Sequence, residues 1–426
     1  MNPTTSDLPP LHCATAGSVD DGKSTLIGRL LYDAKALYTD QIAHVTEWSS
    51  RRGLARTDLA LLTDGLRAER EQGITIDVAW RYFATPLRRF ILADAPGHVQ
   101  YTRNMVTAAS RADVAIILID ARRGLTEQTR RHLFVARLLG VRSVTIAVNK
   151  MDQVGFALDI FARIRDEVTA YLASIDLPRR PAELAFVPVS ALHGDNVVDA
   201  SSSMPWYDGP TLLAHLERLP VDAEREGTPA RFPVQYVIRP QSLEHPDFRG
   251  YAGRVVSGSF RRGDAVRVLP AGLVTTVLSI ETPDGPIDEA NVGSSVVLRL
   301  ATDLDVGRGD WLVLDQDPLP RITRDVSADV AWVHNVESKI GVPYVLKGVS
   351  REVRASIEAV DVRYDVTSGA EVPGAGGALG LNDLARIRLR TTEPIPIDAY
   401  ADLRATGSFL LIDATTGDTV AAGMAR

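Results

Sequence analysis

The chain has 426 residues, 45% of them hydrophobic and 24% charged. That balance is globular, and the length exceeds what one ordinary core organises, so about two or three domains are expected. The net charge of −7 disfavours broad nucleic-acid binding, the single cysteine, Cys13, excludes an internal disulfide, and no apolar run is long enough to span a bilayer.

Residues Met1–Pro10 are polar, with neither a basic start nor an apolar signal core, which fits a cytoplasmic location. Leu11–Ala16 is a short, mostly apolar run and is expected to be a buried strand, with Cys13 a small strand residue. Gly17-Ser18-Val19-Asp20-Asp21-Gly22-Lys23-Ser24 follows at once, and Leu26, Ile27, Leu30 and Leu31 then recur at helical spacing. Strand, glycine-rich loop and helix is the order a phosphate-binding loop needs. Its backbone N–H groups cradle an anion at the positive end of the helix. Lys23 is expected to reach the β- and γ-phosphates of a nucleotide, with Ser24 on Mg²⁺ and Thr25 in the same first turn.

Residues 33–73 form a long insertion in which Leu59, Leu61, Leu62 and Leu66 could make an amphipathic helix. Two readings stand: a surface contacting a partner, or a self-packed flap. Thr75, in Gln72-Gly73-Ile74-Thr75-Ile76, is placed to ligate Mg²⁺ when a γ-phosphate is present, as a switch segment would. Asp94-Ala95-Pro96-Gly97-His98 follows the apolar run Phe90–Ala93. Asp94 can hold Mg²⁺ through a water, Gly97 can donate its N–H to the γ-phosphate, and His98 can position the attacking water.

Val114–Ile119, Val144–Val148 and Phe186–Val189 read as further buried strands, separated by helical stretches such as Gln128–Leu139 and Ile160–Leu172. This alternation gives a mostly parallel sheet with helices on both faces. Asn149-Lys150-Met151-Asp152 follows one of these strands, and Ser190-Ala191-Leu192 follows another. Asp152 can accept both N–H groups on guanine's Watson–Crick edge, which adenine does not offer. A buried carboxylate left unpaired discriminates by about 10⁴ to 10⁵, so the nucleotide is GTP. Ser190-Ala191-Leu192 can offer a backbone N–H to guanine O6. Among arginines, Arg103, Arg111, Arg122 and Arg123 are candidates for stabilising transferred charge, and none is singled out.

Val221–Thr228 is charged and reads as a linker. Beyond it short β-branched runs appear at Phe232–Ile238, Tyr251–Val256, Ala265–Leu269 and Ser295–Leu300, which read as antiparallel β, a barrel or a sandwich. A second boundary falls near Pro318–Arg324. Strands resume at Ala328–Val333 and continue through Ala385–Leu389 and Phe409–Ile412.

The Asp-Ala-Pro-Gly-His form and the stretch Arg70–Ile76 make the chain resemble the elongation factor Tu-like translational GTPase superfamily. Within it, the chain is most similar to the large, GTP-hydrolysing subunit of bacterial sulfate adenylyltransferase. The resemblance is carried by Gly17–Leu31, Ala68–Ala79, Gln100–Met105, Met204-Pro205-Trp206-Tyr207, Arg231–Val237 and Asp247–Gly253. Translational relatives usually carry His where Ser18 and Asp21 stand. The resemblance implies an α/β P-loop GTPase domain over residues 1–220, a linker over 221–230, and two antiparallel β-barrel domains over 231–322 and 323–426. It implies GTP and Mg²⁺ as cofactors and a small catalytic subunit as partner. That partner forms adenosine 5′-phosphosulfate and pyrophosphate from ATP and sulfate, driven by GTP hydrolysis on this chain. No second phosphate loop is present, so no fused adenylylsulfate kinase domain is expected, nor a membrane or nucleic-acid partner. A translation-factor-like GTPase that binds RNA is the alternative, and Ser18, Asp21 and the acidic balance speak against it.

Overall fold

In the computed structural model, residues 8–35, 59, 78–96, 102–177, 181–221, 228–240, 248–374 and 376–426 are described. Thr75, Gly97, His98, almost all of the 33–73 insertion and residues 222–227 of the linker lie outside them. The chain divides into two compact units: residues 1–221 with 364–371, and 222–363 with 372–426.

The first unit is built on six strands: β1 (Leu11–Ala16), β2 (Ala79–Ala84), β3 (Arg89–Asp94), β4 (Val114–Asp120), β5 (Ser143–Asn149) and β6 (Glu183–Pro188). They lie in the order β2-β3-β1-β4-β5-β6. β2 runs antiparallel to β3, and the other pairings are parallel. All seven residues of β4 and of β5 are buried, as expected of central strands covered on both faces, and this is why both read as unbroken apolar runs. β2 is not announced by the sequence: Ala79–Ala84 has a single fully buried position and exposes Tyr82 by 70%, so its apolar signal is weak.

Five helices of this unit are α1 (Lys23–Asp33), α2 (Thr102–Ala109), α3 (Glu127–Leu138), α4 (Leu158–Ser174) and α5 (Leu212–Arg218). Thr126 caps α3 by accepting the Thr129 N–H at 3.2 Å, which starts that helix one residue earlier than its apolar spacing suggests. Arg137 donates to the carbonyls of Leu172, Ile175 and Leu177, satisfying the C-terminal end of α4. β1 lies between β3 and β4, so its C-terminal end opens where the chain crosses from one side of the sheet to the other. Ligands of open parallel sheets bind at that position.

The second unit holds two β-barrels with separate cores. The first comprises β7 (Arg231–Ile238), β8 (Gly250–Arg254), β9 (Ser259–Arg261), β10 (Ala265–Leu269), β11 (Leu273–Thr282), β12 (Gly285–Ile287), β13 (Glu289–Asn291), β14 (Ser295–Leu300) and β15 (Trp311–Leu314). The order β10-β15-β7-β8-β14-β11 closes through β10–β11 pairing. Phe232, Tyr251, Phe260, Val268 and Leu298 lie in its core. The second comprises β16 (Arg321–Trp332), β17 (Pro343–Lys347), β18 (Glu352–Asp365), β19 (Ala370–Pro373), β20 (Leu384–Ile397), β21 (Ser408–Asp413) and β22 (Thr419–Ala425), apart from residues 364–371, where β18 ends and β19 begins, which fall in the first unit. The order β17-β21-β22-β16-β20-β18 closes through β17–β18, around Trp332, Leu346, Ile357, Leu389 and Leu411. Closure pairs every strand of the ring and removes the exposed edges of an open sheet.

Candidate nucleotide site

The phosphate loop is where its sequence pattern puts it, between β1 and α1. Asp20 and Gly22 take the left-handed conformation, with φ of 67° and 92°. Gly22 has two reasons to be glycine: that φ, and a Cβ there would lie 2.5 Å from the Asn149 Nδ2. The N-terminus of α1 carries no side-chain cap, and its first turn contains no acidic residue. Its N–H groups and positive helix end therefore suit a bound anion. Lys23, only 8% exposed, donates from Nζ to the Gly17 carbonyl at 3.1 Å. Burial lowers its pKa, and the nearby carboxylates of Asp94 and Asp21 oppose that shift. A buried ammonium whose acceptor is a neutral carbonyl is poised for a phosphate oxygen.

Asp94 ends β3 in register with Thr15 of β1 and is 2% exposed. Thr15 Oγ1 donates to its Oδ1 at 3.3 Å. A carboxylate here and the Ser24 hydroxyl at the start of α1 are hard oxygen donors, the set Mg²⁺ prefers beside phosphates. The donor chemistry of these residues fits that ion.

The base end is joined to the phosphate end by Asn149. Its Nδ2 donates to the Asp21 carbonyl at 2.8 Å, and its Oδ1 accepts the Ala191 N–H at 2.9 Å. One carboxamide thus ties the phosphate loop to the Ser190–Leu192 segment. Since Ala191 is engaged this way, the Leu192 N–H is the next backbone donor along that segment. Lys150, at φ 63°, sends its ammonium to the Asp20 carbonyl and to Asp120, 3.0 Å away. Asp152 accepts from Ser190 Oγ at 2.7 Å and Gln153 Nε2 at 2.6 Å. Burial raises its pKa, but those hydrogen bonds outweigh burial and hold it below the ordinary carboxylate value. It is thus ionised at neutral pH, as acceptance of guanine's N–H groups requires.

The loop rests on the segment between β4 and α3. Ser18 Oγ lies 2.9 Å from Thr126 Oγ1, which lies 2.8 Å from Thr129 Oγ1. Arg123 Nη2 donates to the Val19 carbonyl at 2.7 Å and to Asp21 Oδ1 at 3.0 Å. Burial raises the pKa of Asp120, yet Arg122 and Lys150 more than offset this and hold its carboxyl well below the usual range. His132 is 2% exposed, and burial, with the Lys23 charge adding to it, pushes its pKa down to about 3. It is a neutral imidazole beneath a cationic site.

The structure brings together Gly17–Thr25, Asp94, Asn149, Lys150, Asp152 and Ser190–Leu192, from the C-terminal ends of parallel strands and the segments that follow them. Thr126, Thr129 and His132 support the loop and escape sequence reasoning, because a capping threonine and a buried histidine carry no motif. Arg123, a charge-stabilising candidate by sequence, has its guanidinium turned to the loop backbone.

Elongation factor Tu GTP binding domains match residues 9–222, and the eEF1A-type GTPase C-terminal domain matches residues 325–426. The chain is 54% identical over 415 residues to the bifunctional enzyme CysN/CysC of Mycobacterium tuberculosis, covering 97% of this chain and 67% of that protein. It is 46% identical over 424 residues to sulfate adenylyltransferase subunit 1 of Laribacter hongkongensis, covering 99% of this chain and 86% of that one. The corresponding protein of Shewanella oneidensis is 47% identical over 421 residues, with 97% and 84% covered. The chain belongs to the sulfate adenylyltransferase subunit 1 family, within the elongation factor Tu-type GTPases.

Proposed function

We propose that this chain is the GTP-hydrolysing subunit of a sulfate adenylyltransferase, coupling GTP hydrolysis to formation of adenosine 5′-phosphosulfate and pyrophosphate by a smaller partner subunit. The observation that carries the GTP half is the Asn149 bridge. It ties the phosphate loop, which leads into an uncapped helix N-terminus with a buried Lys23, to the Ser190–Leu192 segment, where the Ser190 hydroxyl donates to an ionised Asp152. Such a site grips phosphates through backbone N–H groups and reads the base through one carboxylate. Affinity and base choice are thereby divided between two loops. The sulfate half is supported by the relatives' names, which do not favour the RNA-binding alternative.

In this reading Gly17–Thr25 cradle the phosphates, and Lys23 compensates charge on the β- and γ-phosphates. Ser24, Asp94 and Thr75 would hold Mg²⁺, which when bound neutralises charge developing between those phosphates. Gly97 donates to the γ-phosphate and His98 orients the attacking water. Asn149, Lys150 and Asp152 hold the guanine, with Ser190, Ala191 and Leu192 against its O6 edge. The domains span residues 1–220, 231–322 and 323–426. No helix among the described residues is long and apolar enough to cross a membrane, and a cytoplasmic site of action is proposed.

The test is to purify the chain with the small subunit and follow ATP- and sulfate-dependent pyrophosphate release with and without GTP. Stimulation by GTP, lost with a non-hydrolysable analogue, is expected. Pyrophosphate release indifferent to GTP would overturn the reading.

A further inference from the structure

Asp21 is not explained by phosphate chemistry. It is a carboxylate, 1% exposed, inside a loop built to attract anions. Buried charge is costly unless paired, and a bound triphosphate would add repulsion. Burial pushes its pKa up to about 6, even against the Ser18 N–H and Arg123.

Its bonds show how the carboxylate is accommodated. Oδ2 accepts the Ser18 N–H at 2.6 Å, and Oδ1 meets Arg123 Nη2 at 3.0 Å. The same Nη2 donates to the Val19 carbonyl at 2.7 Å. Arg123 Nε is 3.8 Å from Asp120 Oδ2, and Asp120 is 3.0 Å from Lys150 Nζ, which donates to the Asp20 carbonyl. The chain of contacts leaves the phosphate loop at Asp21, passes through Arg123, Asp120 and the guanine-side Lys150, and returns to the loop at Asp20. Arg123 itself keeps 42% of its side chain exposed, so it acts from the rim of the site.

We propose that Arg123 is a positioning residue for nucleotide retention. Its guanidinium neutralises Asp21 and fixes the Val19 carbonyl, so that the phosphate loop keeps its shape and its affinity for anions. It is not a transition-state arginine, because one nitrogen already serves two loop acceptors. The pair links the two ends of the nucleotide site by a route independent of Asn149. With Arg123 removed, the phosphate-loop carboxylate loses its ion-pair partner, and nucleotide leaves faster. With Asp21 made neutral, Arg123 loses most of its purpose. The two residues are therefore coupled, which a generic packing role does not require.

The inference rests on the loop at residues 17–24 taking guanine nucleotide phosphates. The experiment is a double-mutant cycle on the rate of mant-GDP release from the full chain, followed by fluorescence. Arg123→Ala is expected to speed release about ten-fold, as typical coupling energies between contacting charges imply. Arg123→Lys, which restores the counter-charge to Asp21 but not the second bond to Val19, is expected to recover at least about half of that effect on a logarithmic scale. In an Asp21→Asn background, Arg123→Ala is expected to add less than about two-fold. Arg123→Ala releasing nucleotide within two-fold of wild type, or the same ten-fold acceleration in both backgrounds, would overturn the proposal. Should Asp21→Asn not fold, Arg123→Ala and Arg123→Lys decide the matter by themselves, because Arg123 is partly exposed and both variants leave the core untouched. Wild-type chain that binds no mant-GDP would sink the underlying nucleotide assignment, whereas wild-type binding without dependence on Arg123 would sink this inference alone.

Discussion

The phosphate-loop region of the parallel-sheet unit and the surface of the second barrel use charge in opposite ways. Around the loop, charged side chains bond to the backbone. Lys23 reaches the Gly17 carbonyl, Arg123 the Val19 carbonyl and Lys150 the Asp20 carbonyl, and Asp21 accepts the Ser18 N–H. Arg88 gathers the carbonyls of Leu216, Glu217 and Leu219 at the end of α5. In the second barrel, charges mostly face each other across strands on open surfaces. Asp325 pairs with Arg390 at 2.6 Å, Asp361 with Arg388 at 3.1 Å and Lys347 with Glu352 at 2.9 Å. The contrast separates two uses of a charge. Bonded to backbone, it sets the shape of a loop, while an exposed cross-strand pair adds little beyond register.

The buried pair Arg231–Asp398 departs from this pattern. Arg231 is 1% exposed, meets Asp398 through two bonds at 3.0 and 3.1 Å, and also donates to the carbonyls of Ala230 and Pro318. It should behave like the buried charges of the sheet unit. Arg231→Ala is expected to destabilise the second unit by about 3–5 kcal/mol, because Asp398 is left buried without a counter-charge. Urea unfolding followed by tryptophan fluorescence reads this, and a loss below about 1 kcal/mol would undo the distinction between buried and exposed pairs.

Within the sheet unit, Lys23→Ala is expected to weaken GDP binding by at least about 100-fold with the fold intact, as loss of a buried charge partner does. Equilibrium titration with mant-GDP measures it. The next effect depends on pH. His132 titrates at about 3 in the folded chain, below its ordinary value of 6.5. As pH falls, the unfolded chain takes up the proton first, so the stability linked to neutral His132 is present above about 6.5 and lost progressively toward about 3. His132→Gln, neutral throughout, is expected to flatten that acid-side loss in melts run between pH 7 and pH 4. An unchanged slope would show that His132 does not set the acid limit. The smallest effect belongs to the exposed ladder: Arg390→Ala is expected to cost less than about 1 kcal/mol by the same urea assay.

What could be read from the sequence follows the same division. Leu11–Ala16 matches its expected position to the residue, and the helix expected after the loop is there as α1, because glycines, a lysine and an apolar strand leave few alternatives. Asn149, Asp152 and Ser190 are legible for the same reason: each follows closely on a largely apolar strand. The barrels are legible as antiparallel β but not in extent. Only Ala385–Leu389 is expected of β20, which runs from Leu384 to Ile397, since charged residues and two prolines interrupt its apolar alternation. The Arg123–Asp21 contact spans 102 positions, and no local pattern announces it. The structure also supplies a physical reason for Ser18 and Asp21: Ser18 fastens the loop to the Thr126 cap, and Asp21 fastens it to Arg123.

In the proposed function Asp152 selects guanine, in a site whose phosphate loop is tied down by Asn149, and on this everything else depends. The decisive measurement compares the affinities of mant-GDP and mant-XDP for wild-type chain and for Asp152→Asn. A carboxamide can donate to the xanthine C2 carbonyl where a carboxylate cannot. The predicted result is a reversal, with wild type preferring the guanine nucleotide and the variant the xanthine nucleotide. Undiminished guanine preference in Asp152→Asn would contradict the assignment of the site.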